Sequence, residues 1–324
     1  MASATMEDNY TTAVNDSALR LLISNNSLQK NIIPVLSHLV IWPFVYVDVF
    51  MLCVFLRREM IRAEARYVLF AQTLVADSAF LILSDFVVVI TFHVRLLLPV
   101  AICIPVCIFL EALSNISPAV IVAMCVERYV AICLPFRHVH IFTPGRTLLI
   151  ITMIWFISIV KPFVDLLLLI VHIYESYFME LTFCYYEIMV PDQDQAEVRG
   201  ILYFLNYVVI LLILLFCYGS ILFVIKRASA DNKQAARKGH RTLLLHFLQL
   251  FLCTVEDVCP YVEAVVLETG DINSFTLVRN VNFLAFSILS RTVSPLIYGI
   301  RDETFYAAIK NYAKHNVKDI SAEN

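Results

Sequence analysis

Glycine is scarce in this chain, with six in 324 residues, and most of them (Gly145, Gly200, Gly239, Gly270 and Gly299) fall at the ends of apolar stretches rather than inside them. Charge is scarce as well. Asp, Glu, Lys and Arg make up 16% of the residues against 60% hydrophobic, with a mean hydropathy of +0.79. That balance lies far outside soluble-domain usage and puts the chain in a bilayer. The net charge of -3 supplies no global field for a polyanion, so nucleic-acid binding is set aside. A His-Glu-x-x-His pair is missing: His38, His93, His172 and His246 are scattered, and Glu256 and Asp257 fall on different faces of one helix. An intramembrane enzyme would need such ligands or paired acids, so no enzymatic activity, cofactor or metal is expected. The two halves share no repeat and carry no paired broken helices, which counts against a transporter. The first 31 residues lack the apolar core of a cleavable signal peptide, so the first span is expected to insert itself.

What the chain does have is apolar stretches of roughly 20 residues or more, the length a helix needs to cross a hydrocarbon core. Seven are present, at about 32–57, 67–92, 99–132, 147–172, 199–226, 242–267 and 276–300. Helices are the expected form, because a spanning strand would be half as long and would alternate polar and apolar residues. The expected fold is an all-α membrane protein, a bundle of seven helices. Placing residues 1–31 outside leaves sixteen Lys and Arg in the inner connectors and tail, against five outside (Arg20, Lys30, Arg95, Arg199 and Arg279). The amino terminus is then extracellular and the carboxyl terminus cytoplasmic. Asn9-Tyr-Thr, Asn15-Asp-Ser and Asn25-Asn-Ser are glycan acceptor triplets on that outer tail, whereas Asn115-Ile-Ser lies mid-membrane and should stay bare. The expected organisation is a glycosylatable tail at 1–31, the membrane bundle at 32–300 and a cytoplasmic segment at 301–324, in the plasma membrane.

Most of the nine cysteines sit inside spans as small apolar residues. Cys103, at the outer end of span three, and Cys184, in the long outer loop between spans four and five, both face the oxidising side. That permits a disulfide, with two free thiols as the alternative. Twenty-five residues separate Cys103 from Arg128, about 37 Å along a helix, so Glu127 and Arg128 sit at the inner mouth of span three. There the pair could be a simple interfacial anchor or a functional ion pair.

The residues around it decide in favour of function. The run "MCVERYVAICLPFRH" at 124–138 resembles the end of span three in the rhodopsin-like G-protein-coupled receptors, and more narrowly in their odorant-receptor branch. "LVADSAF" at 74–80 is similar to the span-two motif with its acid at Asp77, Trp155 to the span-four tryptophan, and Tyr218 in "CYGSIL" to the span-five tyrosine. "SPLIYGIRDETF" at 294–305 resembles the span-seven ending with Tyr298 and the short amphipathic helix after it. The resemblance implies a small-molecule receptor that activates a heterotrimeric G protein. In it Glu127, Arg128 and Tyr129 form the inner switch: the acid holds Arg128 while inactive, and Tyr218 and Tyr298 move in when active. A non-olfactory receptor of the same class, for an amine or other small ligand, is the second reading. The chain departs from the family pattern at Asp48, where asparagine is usual, at Ser294 before Pro295, in "VEDVCP" at 255–260, which has no tryptophan, and in lacking a span-five proline. Those departures bear on the sodium site and the aromatic toggle, not on the fold.

Charges inside the spans should pair or face the bundle. Arg291 lies one turn before Pro295 at a depth similar to Asp77, so it is expected to bridge Asp77 and to reach Asp48, with a water pocket as the alternative. Lys161 and Asp165, four apart, are expected to form a local pair. A ligand pocket should open outward between spans three, five, six and seven. Glu111 and Asn115 on span three, Tyr203, Asn206 and Tyr207 on span five, and Tyr261 on span six are the candidate lining residues. Each could equally make a helix-helix hydrogen bond. Glu111 is the leading candidate, because it has no evident protein partner.

Overall fold

The structure, a computed structural model, describes residues 27–94, 96–172, 174–182, 184, 186–189, 193–227, 247–248, 251–256, 258–259, 262–263, 265–266, 272–292, 305–310 and 312. Asn9, Asn15, Asn25, Tyr261 and Tyr298 fall outside the described residues. Five of the described helices are long and apolar enough to cross a membrane. They are α1 (Ser27–Arg57), α2 (Ala65–Val89), α3 (Val100–Cys133), α4 (Pro144–His172) and α5 (Gln193–Arg227). The expected spans at 242–267 and 276–300 are described in part. Residues 251–256 are helical, and a helix at Ile272–Asn282 runs through a π-helical turn at Phe283–Ser287 to residue 292.

Helix ends follow from local chemistry. α3 starts after Pro99, whose ψ of 139° is extended, and stops at Leu134 (φ -134°, ψ 53°). Leu134 precedes Pro135, and the proline ring pushes the residue before it out of the helical region. Pro135 then opens a short helix, Pro135–Ile141, where its missing N–H costs nothing. Pro105 and Pro118 lie inside α3 and Pro162 inside α4. Membrane helices tolerate such residues because neighbouring helices satisfy the freed carbonyls.

α3 is the central element, packed against α2, α4 and α5, while α1 packs on α2. The distribution of polarity is the inverse of a soluble bundle. Asp48, Asp77, Ser117 and Arg291 are buried, whereas Tyr46 (72% exposed), Phe156 (72%) and Val171 (77%) face outward. Lipid accepts such a surface and water does not.

The two ends of the bundle are built differently. At one, Leu98–Pro99 pairs as a short antiparallel strand with Leu181–Thr182, and Val100 N–H donates to Glu180 O at 3.0 Å. A disulfide joins Cys103 to Cys184 across a Cα–Cα distance of 4.9 Å, and both pack in a cluster with Val100, Ile104, Leu169, Ile188 and Met189. At the other end Phe305, fully buried in the helical stretch 305–310, stacks on Tyr67 (5.9 Å between ring centroids) and meets Phe70 edge-on (5.6 Å). Tyr312 reaches Phe50 at 5.6 Å and lies under the Arg57 guanidinium at 5.1 Å. The chain's last described residues are thus tucked under α1 and α2, opposite the disulfide.

Candidate functional site

α3 carries polar side chains at three depths below Cys103: Glu111 at about 12 Å by helix rise, Ser114 and Ser117 at about 17 and 21 Å, and Glu127 at about 36 Å. Each depth is the centre of one cluster.

The first cluster joins α3, α4 and α5. Glu111 Oε1 lies 3.2 Å from Lys161 Nζ and 3.9 Å from Arg199 Nη2, and it accepts the Tyr203 hydroxyl and, at 3.5 Å, the Asn115 amide. Arg199 also approaches Asp165 at 3.8 Å and donates to the Tyr203 oxygen at 3.0 Å, and the Lys161 ammonium sits over the Tyr203 ring. One expectation is overturned here: Glu111 does have protein partners. Lys161, expected to pair locally with Asp165, also reaches Glu111 on another helix. The physical reason is reach: Arg199, assigned to an outer connector by its position, lies in the first turns of a longer α5 and turns inward, 15% exposed, between the two carboxylates. Of the other candidate lining residues, Tyr203 is buried and Tyr207 half-buried, but Asn206 is exposed on the outer side of α5.

The second cluster lies at mid-depth. Arg291 Nη1 is 2.7 Å from each Glu256 oxygen, and its Nη2 donates to Ser114 Oγ at 3.0 Å. The guanidinium carbon stands 3.5 Å from the centroid of the Phe80 ring, and Nε is 4.0 Å from Asp77 Oδ1. Ser117 donates to the same Asp77 oxygen, and Ser78 donates to Asp48 at 3.3 Å. Arg291 therefore stands beside Asp77, as its depth suggests, but its principal partner is Glu256, and Asp48 is tied to Ser78 instead. Span six, not span one, supplies the bidentate carboxylate. With Arg291 and Asp77 only 3% and 1% exposed, the charges are fully desolvated, so geometry this close is needed to hold them.

The third cluster is at the far end of α3. Glu127 is 5% exposed, with Oε2 3.7 Å from Arg128 Nε and Oε1 2.9 Å from His138 Nε2. The Tyr129 ring lies 5.3 Å from Phe216 on α5, and the half-buried Tyr218 packs against the central core. On the facing side Trp155 Nε1 donates to Gln72 Oε1 at 3.2 Å, linking α4 to α2. Glu256, Arg199, Ser114 and His138 were not singled out as site residues from the sequence. For Glu256 and Arg199 the signal was available: each is an unexplained charge on or beside an apolar run. The two others are ordinary residues that gain a role only from what stands opposite them. Among the described residues no group of three or more His, Cys, Asp or Glu is arranged to hold a metal ion.

An outward apolar surface, a disulfide at one end, a buried charge cluster at mid-depth and an acid-arginine pair at the other end are brought together along one helix, α3. Residues 48–298 match the 7 transmembrane receptor (rhodopsin family), and the chain belongs to that family. Within it the chain falls in the odorant branch. It is 36% identical over 282 residues to odorant receptor 131-2 of Danio rerio, covering 85% of this chain and 86% of that one. Olfactory receptor 4E2 of Mus musculus is 23% identical over 225 residues (66% of this chain, 68% of the other). Olfactory receptor 1073 of Rattus norvegicus is 23% identical over 237 residues (67% and 69%). The chain is a G-protein-coupled receptor of a multi-pass, plasma-membrane class.

Proposed function

We propose that this receptor binds a small odorant-type molecule at the disulfide-bearing, outward end of its seven-helix bundle and activates a heterotrimeric G protein at the opposite, cytoplasmic end, through Glu127, Arg128 and Tyr129. The observation that carries this reading is the buried Glu127–Arg128 contact, 3.7 Å across, on the same helix as the disulfide and about 37 Å from it. One helix thereby spans both functional ends. Tyr218 and Tyr298 are the residues expected to close on Arg128 in the active state, and the helical stretch 305–310 serves as the cytoplasmic helix after span seven. Orientation rests on the basic connectors and on Asn9, Asn15 and Asn25 as outer glycan sites.

The reading as a receptor for amines loses ground on one specific point. An acid on span three would anchor an ammonium ligand, but Glu111 already faces Lys161 and Arg199 at 3.2 and 3.9 Å. A neutral or hydrogen-bonding ligand suits a site whose charges are mutually compensated. Expression with a cAMP reporter against an odorant panel tests the proposal. Arg128→Ala should reach the cell surface yet raise no second messenger, and normal signalling at matched surface levels would refute it.

A further inference from the structure

Asp85 is a carboxylate inside the apolar run of α2, its side chain 6% exposed, and among the described residues no Lys or Arg lies within ion-pair distance of it. Its partners are His38 and Trp42, one turn apart on α1. His38 Nδ1 stands 2.8 Å from Asp85 Oδ2, and Trp42 Nε1 lies 3.2 Å from the same oxygen and 3.1 Å from His38 Nδ1. The chemistry of these atoms fixes the hydrogens. An ionised carboxylate only accepts, so Nδ1 carries the hydrogen and donates to Oδ2. The indole N–H, which can only donate, turns to Oδ2 as well. In the neutral ring this leaves Nε2, on the edge away from Asp85, with a lone pair, and the His38 side chain is 52% exposed. Among the described residues Nε2 has no hydrogen-bond partner.

We propose that His38, polarised by Asp85, is a binding site for an apolar molecule with a hydroxyl group that reaches the receptor through the bilayer. The hydroxyl donates to Nε2, and the apolar body lies beside Leu39, Trp42 and Phe86, which are exposed on α1 and α2. Holding α1 to α2 uses Nδ1 alone, so the second nitrogen is left over. Lipid tails offer it no donor, and an acceptor without one in apolar surroundings is costly. Asp85 Oδ1 is buried without a hydrogen-bond partner among the described residues, so the carboxylate acts on His38 and Trp42 through Oδ2 only. A carboxylate behind an imidazole raises the basicity of the far nitrogen, which strengthens the bond that nitrogen accepts. A neutral hydroxyl is the donor that suits this place, because an ammonium group would carry its charge into the apolar boundary. His38 lies 19 residues before Arg57, about 28 Å by helix rise, and Arg57 is at the Tyr312 end of the bundle. The site is therefore at the disulfide-bearing end, on the outer side of α1 and α2. It is apart from the α3, α4 and α5 network and does not depend on the odorant reading.

The test is photolabelling of full-length receptor in phosphatidylcholine nanodiscs, at about pH 8, with a diazirine-bearing dodecanol, followed by mapping of the labelled peptides by mass spectrometry. Unlabelled dodecanol, dodecyl methyl ether, cholesterol and cholesteryl methyl ether are the competitors. Label should fall on α1 around Leu39 and Trp42 or on α2 around Phe86. At least one alcohol should compete roughly fivefold better than its own ether, which keeps the apolar body and loses the O–H. Competition by dodecanol alone assigns the site to a diffusible alcohol, and competition by cholesterol assigns it to a sterol of the bilayer. H38F keeps an aromatic ring without the acceptor and should abolish the preference for alcohol over ether. D85N removes the charge behind the imidazole and should reduce it. Label elsewhere, equal competition by alcohol and ether, or an undiminished preference in H38F would overturn the proposal. The alcohol and ether comparison is made on the wild-type receptor, so it decides even where H38F does not fold.

Discussion

Replacing Arg291 by glutamine is the perturbation whose consequences the structure determines most closely. The guanidinium is 3% exposed, makes two 2.7 Å contacts to Glu256, donates to Ser114, covers Phe80 and lies 4.0 Å from Asp77. Glutamine keeps much of the length and a donor but removes the charge, leaving the Glu256 and Asp77 carboxylates (12% and 1% exposed) without a cation. Stranding a buried carboxylate by removing its partner costs about 3–5 kcal/mol. For a chain of this size that corresponds to a fall in melting temperature of roughly 4–7 °C. The assay is thermal unfolding of detergent-solubilised receptor beside the surface-expressed fraction in cells. Glu256→Gln should cost less, because Arg291 retains Asp77 at 4.0 Å, Ser114 and the Phe80 ring. The double variant Arg291→Gln with Glu256→Gln should recover part of the loss, since one buried charge is removed from each side. If Arg291→Gln melts with the wild type, or if the double variant is no better than Arg291→Gln, the guanidinium is not what balances this cluster.

Cys103→Ser and Cys184→Ser should each lower surface receptor, and the double variant should be no worse than either, because both remove one covalent tie; additive losses would mean that the two residues act separately. Glu111→Gln should destabilise solubilised receptor by about 1–3 kcal/mol, since it leaves Lys161 and Arg199 with less compensating charge, and adding Lys161→Met should restore part of it. An unchanged melting curve for Glu111→Gln would remove Glu111 from the three-helix network and return it to the pool of free ligand anchors. Mutating Asn9, Asn15 and Asn25 together should abolish the glycosidase-sensitive mass shift, and a shift that survives would place the glycan, and with it the outer face, elsewhere.

Much of this receptor is legible in one dimension, because the bilayer imposes a length and a polarity that composition records directly. Apolar runs of span length give helices whatever their neighbours do, since a helix is the only form in which a single segment satisfies its own backbone in lipid. That is why α1 to α5 appear where the runs at 32–57, 67–92, 99–132, 147–172 and 199–226 place them, each within a few residues except at the starts of α1 and α5, which lie earlier. The depth of Glu127 below Cys103 is likewise set by helix rise. Partner choice is another matter. Lys161 has an acid one turn away in sequence and still meets Glu111, and Arg291 matches Asp77 in depth and still binds Glu256 most closely. Depth is a property of one helix, whereas pairing depends on how each helix is rotated about its axis and which helix stands beside it. A long cation can sweep several ångströms and settles where two carboxylate oxygens can be reached together. His138 shows the same limit at the connector: only the backward turn after Pro135 brings a loop imidazole under the end of α3, and no spacing rule along the chain announces that contact. Tertiary structure alone decides these pairs, because they depend on side chains 11 to 50 positions apart, and on Ser114 and Arg291, 177 apart, converging in a space too dry to leave a charge alone.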